Sequence, residues 1–209
     1  GRRLYTFQIE QQKYWLKFHQ AHIHQVLEHA FLHELDFYQQ NSISRQQFIV
    51  PHRIIQFEQS TQFHELALSG QGLILVDTEN FFSCVPSDVG IIQQQILKAL
   101  ETLENMHQLG WVHGDLKVEH FRCYKNSCKL IDFEQSLKSS HIIQNLTATP
   151  HYMAPELFHA ERKTVQSDLY AFGSLKQGYR PRPTMIGRYC IASNCKFSFL
   201  NSLNAFCHC

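Results

Sequence analysis

Two aspartates, Asp115 and Asp132, each follow a short apolar run. The first stands in Trp111-Val112-His113-Gly114-Asp115-Leu116-Lys117 and the second in Lys129-Leu130-Ile131-Asp132-Phe133. Each run reads as a strand that delivers its carboxylate to a turn. Such a pair suits phosphoryl transfer, whose barrier falls mainly through positioning and through cations that offset charge on the phosphoryl oxygens. One carboxylate can orient an attacking hydroxyl while the other holds a metal ion. An Asp that only shapes a turn at a strand end is the structural alternative at both positions.

These loops need a frame, and the hydrophobic pattern supplies one. Alternation over Leu4 to Ile9 and Tyr14 to Phe18 predicts a β-hairpin. Val26, Leu27, Ala30, Phe31, Leu35 and Tyr38 fall at helical spacing. Strand-like runs follow at Phe48 to Phe57 and Leu73 to Val76. Ile91, Ile92, Ile96, Leu97, Leu100, Leu103 and Met106 then mark a long helix ending at Gly110, a residue suited to a C-cap. From there to Gly173 the sequence reads as helices and short loops. The segment from Leu175 to Cys209 has five basic residues, no acidic one, four of the seven cysteines and no clear period.

Totals exclude more than they select. The 209 residues carry 19 basic and 18 acidic side chains, a net charge of +1, so no long-range field favours nucleic acid or an anionic membrane. No stretch approaches the roughly 18 apolar residues of a membrane helix. Seven cysteines without a CxxC pair read neither as a zinc site nor as a disulfide framework, which makes a reducing cytoplasm the expected location. His19, His22, His24, His29 and His33 crowd one segment. No partnering Cys or carboxylate recurs there at ligand spacing, so a polar helix face is the expectation rather than a metal site.

Four motifs carry a resemblance. His113-Gly114-Asp115-Leu116-Lys117 is similar to the catalytic loop of protein kinases, with Gly114 where many members have Arg. Asp132-Phe133-Glu134 resembles the family's Asp-Phe-Gly with its last residue replaced. Thr149-Pro150-His151-Tyr152-Met153-Ala154-Pro155-Glu156 resembles the end of an activation segment, and Ser167-Asp168-Leu169-Tyr170-Ala171-Phe172-Gly173 the helix after it. A single tetrapeptide recurs by chance; four in the family's order and spacing are specific.

The chain thus resembles a Ser/Thr protein kinase catalytic domain, incomplete at both ends. The resemblance implies an α+β, bilobal protein-kinase-like fold. A small antiparallel β lobe with one helix would occupy 1–80, a mainly helical large lobe, truncated, 81–174, and an atypical tail 175–209. It implies Asp115 as catalytic base, Lys117 at the transferred phosphate, and Thr149 bracing both. Asp132 would bind magnesium, and Asp168 would anchor the catalytic-loop backbone. His113, Phe133 and Glu156 would be structural residues of the active site. Lys17 would bind ATP with Glu34, seventeen residues on, as its ion-pair partner; Glu28 and Lys13 are the competitors. ATP, Mg²⁺ or Mn²⁺ and a protein bearing Ser or Thr are the implied cofactors and partner.

Four departures qualify that picture. His120 stands five positions after Asp115, where the family's second metal ligand is Asn, and an imidazole is a poor substitute for oxygen on a hard cation. Glu134 puts a carboxylate beside the metal site, where it either compensates or stiffens the loop. Only Gly1 precedes Lys17, so the glycine-rich phosphate loop has no counterpart, as expected of a fragment. The tail reads as sequence foreign to what precedes it, such as a shifted reading frame near codon 174 would give. Two other functions therefore stay open. One is a pseudokinase or inactive fragment acting as a binding module. The other is a small-molecule phosphotransferase of the aminoglycoside or choline kinase type, which Gly114 favours and Ala154-Pro155-Glu156 disfavours.

Overall fold

The computed structural model describes residues 2–19, 25–40, 46–57, 62–63, 66–67, 70–83, 88–139, 149–158 and 162–178. Gly1, His22, His24 and positions 179–209 of the expected tail lie outside the described residues.

The opening alternation folds as expected: β1 (Arg2–Ile9) pairs antiparallel with β2 (Gln12–His19). Helix α1 (Gln25–Gln39) follows. It buries Phe31, Glu34, Leu35 and Tyr38, the one-face spacing of an amphipathic helix. Then come β3 (His52–Gln56), the two-residue strands β4 (Gln62–Phe63) and β5 (Leu66–Ala67), and β6 (Gln71–Val76). The main sheet runs β1-β2-β6-β3, antiparallel throughout. Alternation on β2 sends Leu16 and Phe18 to one face, against Tyr5, Phe7, Ile55, Phe57 and Ile74. Lys17 is thereby turned to the opposite face, where α1 lies.

The strand expected from Phe48 begins only at His52. Pro51 has no N–H to give a ladder, so it separates the strand from Phe48, Ile49 and Val50. Those three residues are buried instead as a link to the second half of the chain. Leu130 N donates to Phe48 O at 2.6 Å, and Ile49 bridges Leu130 in parallel.

Past β7 (Glu79–Asn80), helix α2 (Val89–Gln108) starts on Asp88, whose side chain accepts from Ile91 N. It buries Ala99, Thr102, Leu103 and Met106 on one stripe. As expected it stops at Gly110, which takes a φ of 76°. Four short strands lie beyond this point, two at the expected aspartate-bearing runs and two more where the sequence reads as helices and short loops. They are β8 (Trp111–Val112), β9 (Phe121–Tyr124), β10 (Ser127–Leu130) and β11 (Leu137–Lys138). β8 pairs with β11, and β9 with β10 and β7, so each aspartate-bearing run is held by a ladder. Lys125 and Asn126, both at positive φ, turn the β9–β10 hairpin. The last described element, α3 (Val165–Gly178), passes through the expected boundary at 174. Leu175 is buried in the core and belongs to this unit, not to the tail.

The core closes around Phe133, which is fully buried. Its ring stacks on Phe37 at 4.2 Å and meets Tyr38 at 5.4 Å, while Phe37 also packs edge-on to Trp111 at 4.9 Å. Helix α1 is thus joined through aromatic contacts to both catalytic runs. Truncating this joint in Phe37→Ala should cost about 3–5 kcal/mol. Chemical denaturation should show that loss as a lower midpoint with an unchanged slope.

Candidate active site

Lys17 and Glu34 meet as expected, Nζ to Oε2 at 2.6 Å, both buried; Glu28 is not the partner. β2 contributes the cation and the buried stripe of α1 the carboxylate. Glu34 also accepts the Phe133 N–H through Oε1 at 3.1 Å, so one side chain ties the helix to the Asp132 loop. That loop brings two further carboxylates to Lys17: Asp132 Oδ1 at 3.0 Å and Glu134 Oε1 at 2.7 Å. Asp132 reaches it from a left-handed backbone, φ 66° and ψ 63°, which Asp tolerates better than most residues. Burial opposes the charge on Lys17, but Glu34, Asp132 and Glu134 together raise its pKa. Burial pushes the Glu34 carboxyl up to about 7, against the pull of Lys17. Asp132 is also largely buried, yet the hydrogen bond from His120 and the charge of Lys17 hold it well below the carboxylate range.

The catalytic loop forms a second cluster. Asp115 Oδ1 accepts from Thr149 N and Oγ1, each at 2.9 Å, and Oδ2 pairs with Lys117 at 2.9 Å. These donors overcome burial and lower the Asp115 pKa. Thr149 braces Asp115 as expected, though its hydrogen bonds go to Asp115 and not to Lys117. Asp168, in the first turn of α3, accepts from the backbone N–H of His113 at 2.7 Å and of Gly114 at 2.9 Å. It thus anchors the loop backbone in the expected way, and His107 Nε2 adds a third contact at 2.9 Å. His113 is fully buried, with Nε2 3.1 Å from Ile131 O, and lies next to Phe133. Glu156 is exposed, in the short helix Pro155–Phe158.

His120 stacks on His113 with ring centroids 5.2 Å apart and lies 3.3 Å from Asp132 Oδ2 through Nε2. Its ring is therefore a close neighbour of Asp132. The histidine-rich segment does not form one helix face: His19 is buried on β2, while His29 is exposed on α1 and His33 meets the Ser136 carbonyl. Oxygens of Glu34, Asp132 and Glu134 lie within 4.8 Å of one another, a hard donor set that fits Mg²⁺ or Mn²⁺. Lys17 stands among them as the group that would meet a nucleotide phosphate.

Sequence reasoning missed three functional neighbours. Glu134 was not expected on Lys17, although its place in the loop put it within reach. His107 sits one α-helical face away from any motif, and no signal marked it. Lys163 is buried at 1% exposure and donates to Gln135 O and Oε1 at 3.5 and 3.3 Å. Its stem passes within 2.7 Å of where a Cβ on Gly114 would stand.

Burial and the facing His120 lower the pKa of His113 from 6.5 to about 4, although Asp168, the Ile131 carbonyl and Asp132 oppose the shift. Between those values the unfolded chain binds the proton and the native ring does not, so stability falls as pH falls. Acidification from pH 6.5 to 4 should therefore remove roughly 3 kcal/mol through this group. His113→Gln should flatten that part of a melting-temperature profile against pH; an unchanged slope would remove His113 as the cause.

The sequence model of the protein kinase domain matches residues 8–177. A probable L-type lectin-domain containing receptor kinase of Arabidopsis thaliana is 38% identical over 85 residues, 37% of this chain and 13% of that protein. Smooth-muscle myosin light chain kinase of Gallus gallus is 31% identical over 104 residues, 46% of this chain and 6% of that protein. A putative tyrosine-protein kinase of Caenorhabditis elegans is 32% identical over 109 residues, 49% and 30% of the two chains. The chain spans only a small part of the length of these curated relatives. The family match runs from the first strand into the last described helix, and the chain belongs to the protein kinase domain family.

Proposed function

We propose that this chain is the catalytic domain of a Ser/Thr protein kinase, using ATP with Mg²⁺ or Mn²⁺. The observation that carries the reading is the setting of Asp115, held by two hydrogen bonds from Thr149 and paired with Lys117. A bound metal–nucleotide complex supplies the phosphoryl group and offsets charge on its oxygens. The depressed pKa of Asp115 makes it a weak base, so its first task is to orient the substrate hydroxyl, and it accepts the proton as that oxygen loses it. Lys117 is partly exposed beside Asp115 and can reach a phosphate oxygen. Lys17 offers its ammonium to the nucleotide phosphates, and Glu34 fixes its direction. Lys117 two residues after Asp115, with Thr149 opposite, favours the short hydroxyls of Ser and Thr. A cytoplasmic setting is part of the proposal and rests on the cysteine pattern alone.

His120 favours a second reading, a nucleotide-binding pseudokinase, because an imidazole rests on Asp132 where an oxygen ligand would suit a hard cation.

Incubation with ATP and Mg²⁺ followed by phosphoamino-acid analysis should give phosphoserine or phosphothreonine; phosphotyrosine alone would overturn the specificity. Asp115→Asn should lower kcat by about 10²–10⁴-fold while nucleotide affinity barely changes. His120→Asn should raise turnover in Mg²⁺, with the wild type gaining relatively more from Mn²⁺. Binding of ATP without turnover by wild type and His120→Asn alike would favour the pseudokinase.

A further inference from the structure

The β9–β10 hairpin carries a pair of thiols outside the candidate active site. Cys123 on β9 lies directly opposite Cys128 on β10, and both are free. The turn between the strands has two residues, Lys125 and Asn126, both at positive φ. Such a turn closes on a hydrogen-bonded pair, here Tyr124 and Ser127. The next pair, Cys123 and Cys128, is then of the non-hydrogen-bonded kind. Cα atoms in pairs of that kind lie about 4.5 Å apart with their side chains close, inside the roughly 4.4–6.8 Å that a disulfide accepts. Both thiols leave the hairpin on the face of Phe121 and Leu130, which are buried in the core.

The two thiols differ in access. Cys128 is 3% exposed beneath α2, where Thr102 Oγ1 donates to its carbonyl at 3.2 Å. Burial pushes its thiol up to about 12 against a hydrogen bond with Thr102, and the facing Cys123 adds to the rise. Cys123 is only partly buried and lines a surface cavity of about 380 Å³ with Phe81, Ile91, Gln94, Lys98 and Asn126. A small oxidant can therefore reach Cys123, whereas Cys128 is shielded from it.

We propose that Cys123 and Cys128 are a peroxide-sensitive modification site that closes to a cross-strand disulfide. Hydrogen peroxide first gives one oxygen to the Cys123 sulfur, which becomes a sulfenic acid, and its other oxygen leaves as water. The Cys128 sulfur then attacks the Cys123 sulfur. The S–S bond forms, the S–O bond breaks, and the hydroxyl leaves as water with the Cys128 proton. Two thiols are oxidised and one peroxide is reduced to two waters. Because Cys128 holds its proton, the second step is the slower one, and the opposed register keeps it ahead of further oxidation of Cys123. The other end of the hairpin is closed by Ile131 N donating to His120 O at 3.1 Å, so the new bond staples the strand pair that delivers Asp132.

Mass spectrometry tests the site on the whole chain. Native protein is treated with hydrogen peroxide, remaining thiols are blocked with iodoacetamide in urea, and tryptic peptides are read without reduction. Trypsin separates the two sites, as Cys123-Tyr124-Lys125 and Asn126-Ser127-Cys128-Lys129. The expected product is these two peptides joined, two hydrogens lighter than their sum, with loss of both alkylated forms. A thiol reductant added before blocking should bring the alkylated forms back. In Cys128→Ser, peroxide with dimedone present should label Cys123 as a sulfenic acid; should melting show that variant to be misfolded, Cys128→Ala takes its place. Both peptides alkylated after peroxide would overturn the proposal. So would an oxidised Cys123 beside an alkylated Cys128, or Cys123 joined to a different cysteine.

Discussion

Burying an ammonium is costly unless counter-charges are buried with it. Lys17, 6% exposed on β2, meets that requirement with carboxylates from two distant segments, α1 and the loop after β10. The geometry of the nucleotide side follows from this one ion. Helix α1 must sit with Glu34 inward, which turns Phe31, Leu35 and Tyr38 inward on the same stripe. The loop must present Asp132 and Glu134 in one direction, which drops Phe133 between them into the aromatic cluster. Charge and packing thus select the same docking of α1, and neither could be changed alone.

Asp168 does comparable work on the catalytic side. A carboxylate in the first turn of α3 benefits from the helix dipole, and it uses its oxygens on the backbone of His113 and Gly114 and on His107. Helices α2 and α3 are thereby fastened to the turn that delivers Asp115. The loop is held there through its backbone N–H groups.

That division explains what was legible in the sequence. Asp115, Asp132 and Asp168 stand in short motifs and Lys17 and Glu34 on readable elements, and the pairings expected of them form. Periodicity located the hairpin, α1 and α2 for a related reason, since each buries apolar residues on one face, while α3 was placed by its resemblance to the family's helix. The short strands β9 and β11 were not separated from loops because runs of two to four residues carry too few positions to show a period. Pro51 was the readable sign that the Phe48 run would break. Glu134, His107 and Lys163 escaped because their roles are tertiary: each meets a partner that sequence distance hides.

Gly114 shows how such a hidden partner changes the meaning of a motif. Read alone, glycine in place of Arg looks like a lost positive charge and a step towards small-molecule phosphotransferases. In the fold, Gly114 has φ 80°, and a Cβ there would press on the Gln135 carbonyl and come within 2.7 Å of Lys163 Cδ. A side chain and Lys163 cannot share that space. Lys163 carries its amine into the interior, where burial lowers its pKa to about 8 against the pull of Asp115 and Asp168. At neutral pH that amine is still mostly charged. Positive charge near Asp115 is therefore supplied from the segment ahead of α3, and the glycine is the condition for its entry. Gly114 and Lys163 form one arrangement, so the glycine cannot be interpreted without the buried lysine.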